Sequence, residues 1–178
     1  MRKQQQSNPE PRIFTDYNVI ECIGCGVNGP VFKAQHRIDK RQYAIKRIEY
    51  PLNRDDQNKL LGEVRKLATF DQRNVVRYHN SWFDNLNKED NEKLNLLCNQ
   101  TPSVEKNDTI VSRNNNLSSK YLFIATELCN SFTLKQWLSD GADRHGSSIM
   151  LKLLHHTVKA VNNFHNNGGV HNEIKIND

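Results

Sequence analysis

Apolar and polar positions alternate from Tyr17 through Val19, and the run from Ile20 to Ile23 turns mostly apolar, which predicts a strand. Gly24 to Gly29 breaks it. Val31, Phe32 and Ala34 open a second strand, and Gln42 to Ile48 makes a third after a turn at Asp39-Lys40, giving an antiparallel meander. The period then changes. Leu60, Leu61, Val64, Leu67 and Ala68 recur at helical spacing and predict a helix over 56–69, with Asn53 and Asp55 as candidate N-caps. Two further strands are expected, at Asn74–Phe83, rich in Val, Tyr and Trp, and at Tyr121–Leu128. Between them Asn, Lys, Glu and Ser dominate, and Leu94, Leu96 and Leu97 are the only apolar cluster. That composition predicts a flexible polar insert over 84–120, with local docking of the Leu cluster as the alternative.

A short helix is expected at Thr133–Ser139. A longer amphipathic one, carried by Met150, Leu154, Val158, Val161 and Phe164, spans 147–166 and ends at Gly168-Gly169. The expected layout is a disordered tail at 1–11, an α+β lobe at 12–129 and the start of a helical lobe at 130–178. The first lobe would hold five antiparallel strands and one helix.

Composition narrows the classes. A chain of 178 residues with 36% hydrophobic and 25% charged residues has room for one ordinary core. It has no apolar run long enough for a membrane span, so no membrane partner is expected. The basic start Met1-Arg2-Lys3 lacks the apolar stretch of a secretory signal. Four cysteines without extracellular context fit a reducing compartment, so a cytoplasmic location is expected. The net charge of +5 is densest from Lys33 to Arg47, where it reads as a charged strand hairpin rather than a basic face with stacking aromatics. Direct nucleic-acid binding is therefore not expected.

The chemistry concentrates in residues 24–46. Gly24, Gly26, Gly29 and Val31 fill every fixed position of G-x-G-x-x-G-x-V. The glycines lie between two strands, not between a strand and a helix. That placement disfavours a dinucleotide or Walker site and suits a flap over phosphates, where glycine lets the backbone N–H donors approach an anion. Pro30 removes one such donor and stiffens the flap. Lys46, on the third strand, is a point charge suited to α- and β-phosphates, and Glu63 on the predicted helix lies in phase to hold it. Cys22 and Cys25 have C-x-x-C spacing, but no second pair follows for zinc and no helix starts after them for thiol redox work, so they read as structural. His155 and His156 read as ordinary helix residues rather than ligands.

With these residues in view, the chain resembles the eukaryotic protein kinases. More narrowly, it is similar to the kinases that phosphorylate translation initiation factor 2α, the double-stranded-RNA-activated branch most of all. The carrying segments are Val31 to Asp39, Tyr43 to Ile48, Glu63-Val64, Asn74 to Tyr78 and Leu122 to Ile124, and a polar insert between the fourth and fifth strands is a habit of that family. The resemblance implies an ATP pocket bounded by Ile23, Gly24, Gly26, Gly29 and Val31, roofed by Ala44, with Lys46 at the phosphates. Thr126 would be the gatekeeper, and Glu127 to Cys129 the hinge that meets the adenine edge. It also implies lobe-to-lobe pairing, with itself or with a full-length family kinase, through Arg12, Asp16 and Tyr78.

The catalytic loop H-R-D-L-K-P-x-N is matched by His171-Asn172-Glu173-Ile174-Lys175-Ile176-Asn177-Asp178. Glu173 stands where the family has the Asp that accepts the substrate proton. The extra methylene displaces the carboxylate by roughly 1.5 Å, and a misplacement of about 1 Å can cost on the order of 10²-fold. Lys175 is kept. Asp178 replaces an Asn that binds Mg²⁺, and a carboxylate can still coordinate that ion weakly. Neither D-F-G nor A-P-E follows, so the expectation is a C-terminally truncated relative that binds ATP weakly and does not phosphorylate protein. On that reading it modulates a full-length factor-2α kinase. The alternatives are a piece of an active serine/threonine kinase and a decaying copy without function. The long helix would leave an apolar face bare, at ~1.5–3 kcal/mol per large side chain, which favours a binding role.

Overall fold

The computed structural model describes residues 9–26, 29–69, 75–100, 119–129, 133–139 and 147–168. A short helix α1 (Arg12–Thr15) leads into β1 (Tyr17–Gly26), β2 (Gly29–His36) and β3 (Gln42–Glu49). There follow α2 (Arg54–Thr69), β4 (Tyr78–Leu86), α3 (Lys88–Asn99), β5 (Ser119–Glu127), α4 (Leu134–Ser139) and α5 (Ser147–Asn166). The five strands form one antiparallel sheet in the order β1-β2-β3-β5-β4. The expected five-stranded lobe with helices beyond it is the fold observed.

The two faces of β3 divide the lobe. Tyr43, Ile45 and Arg47 point to one side and are buried, while Ala44, Lys46 and Ile48 point to the other and are half-buried. On the first side lies the larger core, built from Phe32, Ile45, Trp82, Leu86 and Phe123 of the sheet, Ile13 of α1, and Leu94 and Cys98 of α3. Trp82 is stacked between Tyr17 and Phe123 at ring separations of 5.3 and 5.5 Å. On the second side Val64 of α2 packs with Leu122 and Ile124, flanked by Leu60, Leu67 and Tyr78. Helix α2 starts where Asn53 accepts a hydrogen bond from the Asp56 amide at 2.9 Å, which is the N-cap chemistry the sequence offered.

The insert departs from expectation. Residues 88–99 are helical rather than flexible, and β4 and β5 extend to Leu86 and from Ser119. The reason is local. Asn87 and Asp90 form a reciprocal capping box, and Leu94 and Cys98 sit four apart on one face, both buried against the sheet. Leu96, from the same cluster, is 56% exposed. Residues 101–118 of the insert, and positions 1–8 of the tail, lie outside the described residues.

Helix α1 was not predicted. Asp84 of β4 accepts from the Arg12 amide at 2.9 Å, the Ile13 amide at 3.0 Å and Trp82 Nε1 at 2.9 Å. One buried carboxylate thus satisfies the otherwise orphaned N–H groups of the helix start and seats Ile13 in the core. Helix α5 ends as predicted, with Gly168 at φ +73, and it leaves Leu151, Leu154 and Val158 in solvent. No described helix is long and apolar enough to cross a membrane.

Candidate functional site

The nucleotide-type residues converge on the α2 side of the sheet. Register places Val31, Lys46, Ile124 and Ser81 in one cross-strand row, and Lys33, Ala44, Thr126 and Tyr78 in the next. Lys46 is therefore central to the sheet, one row from the Ala44–Thr126 pair. The Thr126 hydroxyl donates to the Ala44 carbonyl at 3.4 Å, which ties the two neighbouring strands together at this row.

The glycine hairpin lies at the edge of this face. Gly24 pairs with Val31, Cys25 with Pro30 and Gly26 with Gly29; residues 27 and 28 lie outside the description. Gly29 has φ +98, and a Cβ there would lie 2.1 Å from the Arg47 carbonyl oxygen. Only glycine permits that approach. At Gly26 a Cβ would meet nothing within 4 Å among the described residues. Ile23, 43% exposed, borders the same end.

At the other end Glu127 and Arg77 bond reciprocally. The Glu127 amide donates to the Arg77 carbonyl and the Arg77 amide to the Glu127 carboxylate, each at 2.9 Å. This fixes Glu127 at the end of β5, and Cys129 beyond it is exposed.

Glu63 does not hold Lys46. Among the described residues no ion pair joins the two, and Glu63 is exposed. The helix turns Leu60, Val64 and Leu67 to the sheet, and at 100° per residue Glu63 falls roughly 60° from Leu60, at the rim of that face. In protein kinases the pair must form for phosphotransfer, so this arrangement is not the engaged one. Glu173, Lys175 and Asp178 lie outside the described residues.

These residues fit a nucleotide in part. A hairpin that requires glycine at Gly29, apolar side chains at Val31 and Ala44, and the Lys46 cation suit an adenine and its phosphates, which ATP would bring together with a transferable γ-phosphoryl group. For Mg²⁺ the fit is poorer: among the described residues the one cluster of three potential metal ligands is thiol, not carboxylate.

Arg12 and Asp16 meet each other within the chain. Arg12 Nε donates to Asp16 Oδ2 at 2.5 Å, and the guanidinium lies 5.0 Å above the Trp82 ring. The bond to Arg12 holds the Asp16 carboxyl below its ordinary range. Tyr78 packs on the α2 side and its hydroxyl lies 2.8 Å from Ser81 Oγ. Arg12 and Asp16 lie on the side of the larger core and Tyr78 on the α2 side, and among the described residues no hydrogen bond joins Tyr78 to either.

Sequence reasoning missed Asp84, which seats the helix that begins at Arg12 and is capped by Asp16, and it missed Arg47. Arg47 is buried, with Asn95 Oδ1 at 2.8 Å and Asn91 Oδ1 at 3.2 Å, both on α3. Its place in the buried alternation of β3 was the available signal; Asp84 offered none.

A sequence profile described as the protein kinase domain matches residues 17–178. Relatives include the interferon-induced, double-stranded RNA-activated protein kinases of Mus musculus and Rattus norvegicus, 32% and 34% identical over 167 residues and 93% of this chain. The eIF-2-alpha kinase GCN2 of Arabidopsis thaliana is 26% identical over 185 aligned residues and 97% of this chain. The chain spans 28% and 29% of the two rodent kinases and 14% of the plant kinase. Nearly the whole chain is thus matched, and it is matched on the strands that carry Val31, Ala44, Lys46 and Thr126. The chain belongs to the protein kinase family and is related within it to the eIF2-alpha kinases.

Proposed function

We propose that this chain is a nucleotide-binding lobe with impaired phosphotransfer, which modulates a full-length factor-2α kinase by pairing through its N-terminal lobe in the cytoplasm. The observation that carries the reading is the uneven state of the site. The glycine approach at Gly29 and the row through Lys46 are intact, whereas Glu63 is disengaged and Glu173 replaces the proton-accepting Asp. ATP binding would be weak, since Lys46 is not positioned by Glu63. Pairing would use Arg12 and Asp16 of one chain against Tyr78 of another. Arg12 is already prepared by its bond to Asp16 and its place over Trp82.

The test mixes this chain with an active factor-2α kinase and measures phosphorylation of the factor. The expected result is inhibition by this chain and none by its Arg12→Asp variant; no effect from either would sink the pairing role. A second reading, favoured by the small share of its relatives that the chain spans, is that these residues are one part of an active serine/threonine kinase. Phosphotransfer to factor 2α by the product of the complete transcript would establish it.

A further inference from the structure

Two cysteines of β1 and a third from α3, distant in sequence, meet behind the glycine hairpin. The Sγ atoms of Cys22, Cys25 and Cys98 all lie within 4.8 Å of one another, with Cys22 and Cys98 buried and Cys25 half-buried. In a regular strand, residues three apart face opposite sides. Here the β1–β2 register shifts between Cys22 and Gly24, so Cys22 opposes Phe32 and Cys25 opposes Pro30, and both sulfurs turn to the α3 side. Cys98 arrives from the last turn of α3, one helical turn after the buried Leu94.

We propose that Cys22, Cys25 and Cys98 bind Zn²⁺ through three thiolates, with water completing the tetrahedron. Zinc–sulfur bonds of about 2.3 Å place tetrahedral sulfurs about 3.8 Å apart, so closure asks for a contraction of roughly 1 Å. Charge favours this cation. Three thiolates and a dication leave one negative charge, and the buried guanidinium of Arg47 lies near enough for charge on any of the three sulfurs to favour its cationic form. Arg47 has amide oxygens and aromatic faces around it, but among the described residues no carboxylate pairs with it. A zinc–thiolate centre supplies the missing counter-charge, which a buried cation otherwise lacks at considerable cost. Cys22 Sγ now donates to the Gly24 carbonyl at 3.3 Å; the thiol gives up that proton on binding the metal, as ligand thiols do. The ion would pin α3 to the strand that carries Gly24 and Gly26, bracing the flap from behind. This holds whether or not the lobe binds ATP.

The full chain is purified under reducing conditions with zinc, dialysed, and measured for metal content by mass spectrometry and for reactive thiols. The expected result is one zinc per chain in the wild type and in Cys129→Ser, and its loss in Cys98→Ser. Replacement by Co²⁺ in the wild type alone should give the intense near-ultraviolet thiolate-to-cobalt band, abolished by added Zn²⁺, so the question stays answerable if Cys98→Ser does not fold. A wild type that retains no zinc and gives no such band overturns the proposal. So does equal retention in a folded Cys98→Ser, or a disulfide among the three cysteines in place of metal.

Discussion

Helix α3 stands or falls on Leu94. Its side chain is 0% exposed in the larger core, whereas Leu96, two residues on, is 56% exposed. Truncating Leu94 to Ala removes three carbons, worth about 0.8 kcal/mol per methylene in transfer, and leaves a cavity, so the expected loss is about 2–5 kcal/mol. Leu96→Ala should cost less than about 0.5 kcal/mol, as surface changes do. The two substitutions alter composition and helix propensity identically, and their difference isolates docking. Urea unfolding followed by tryptophan fluorescence in a Trp137→Phe background should move the midpoint by on the order of 1 M for Leu94→Ala and hardly at all for Leu96→Ala. A 12-residue helix is marginal in isolation, so Leu94→Ala should also raise amide exchange across 88–99. Equal shifts for the two variants would refute the docked helix and return the insert to a flexible segment.

Arg47→Met should be tolerated, within about 1.5 kcal/mol in metal-free buffer, because charge and partner demands leave together; Asn95→Leu should cost more, about 1–3 kcal/mol, because it strands a buried guanidinium N–H. Denaturation showing the reverse order would contradict this account of the β3–α3 contact. Gly29→Ala must combine positive-φ strain of about 1–3 kcal/mol with a clash on the Arg47 carbonyl, so both melting temperature and nucleotide binding should fall; unchanged values for both would show that the hairpin is not seated as described. Because Arg12 lowers the Asp16 pKa in the folded chain, the pair adds stability above the ordinary value of 3.8 and loses it as pH falls further. Wild type and Asp16→Asn should therefore differ slightly at neutral pH and converge in acid, and a gap that widens on acidification would reverse the sign.

The sheet was legible because its signals are local: alternation along β1 to β3, a turn at Asp39-Lys40, and a glycine run between strands. Helix α2 was legible in its apolar stripe and its Asn53 cap. What sequence did not disclose depends on partners distant in the chain. Asp84 looks like any polar insert residue until its carboxylate meets the start of α1. Cys98 lies 76 positions from Cys22, and a register shift, invisible in composition, brings Cys25 to the same face. The polar character of residues 84–120 hid a helix that buries only Asp90, Leu94 and Cys98. Glu63 shows the opposite failure: the phase was nearly right, but the helix spends that face on Leu60, Val64 and Leu67.

On the proposed function, the nucleotide face survives while phosphotransfer does not. This is tested most directly on one preparation of this chain, by titrating Mg-ATP to millimolar concentration with thermal-shift detection and then assaying transfer of labelled γ-phosphate to factor 2α. The expected result is a saturable shift that Lys46→Ala abolishes, with no label on the factor. Label transferred by the wild type and lost in Lys46→Ala would contradict it, and so would a shift that fails to appear or survives that substitution.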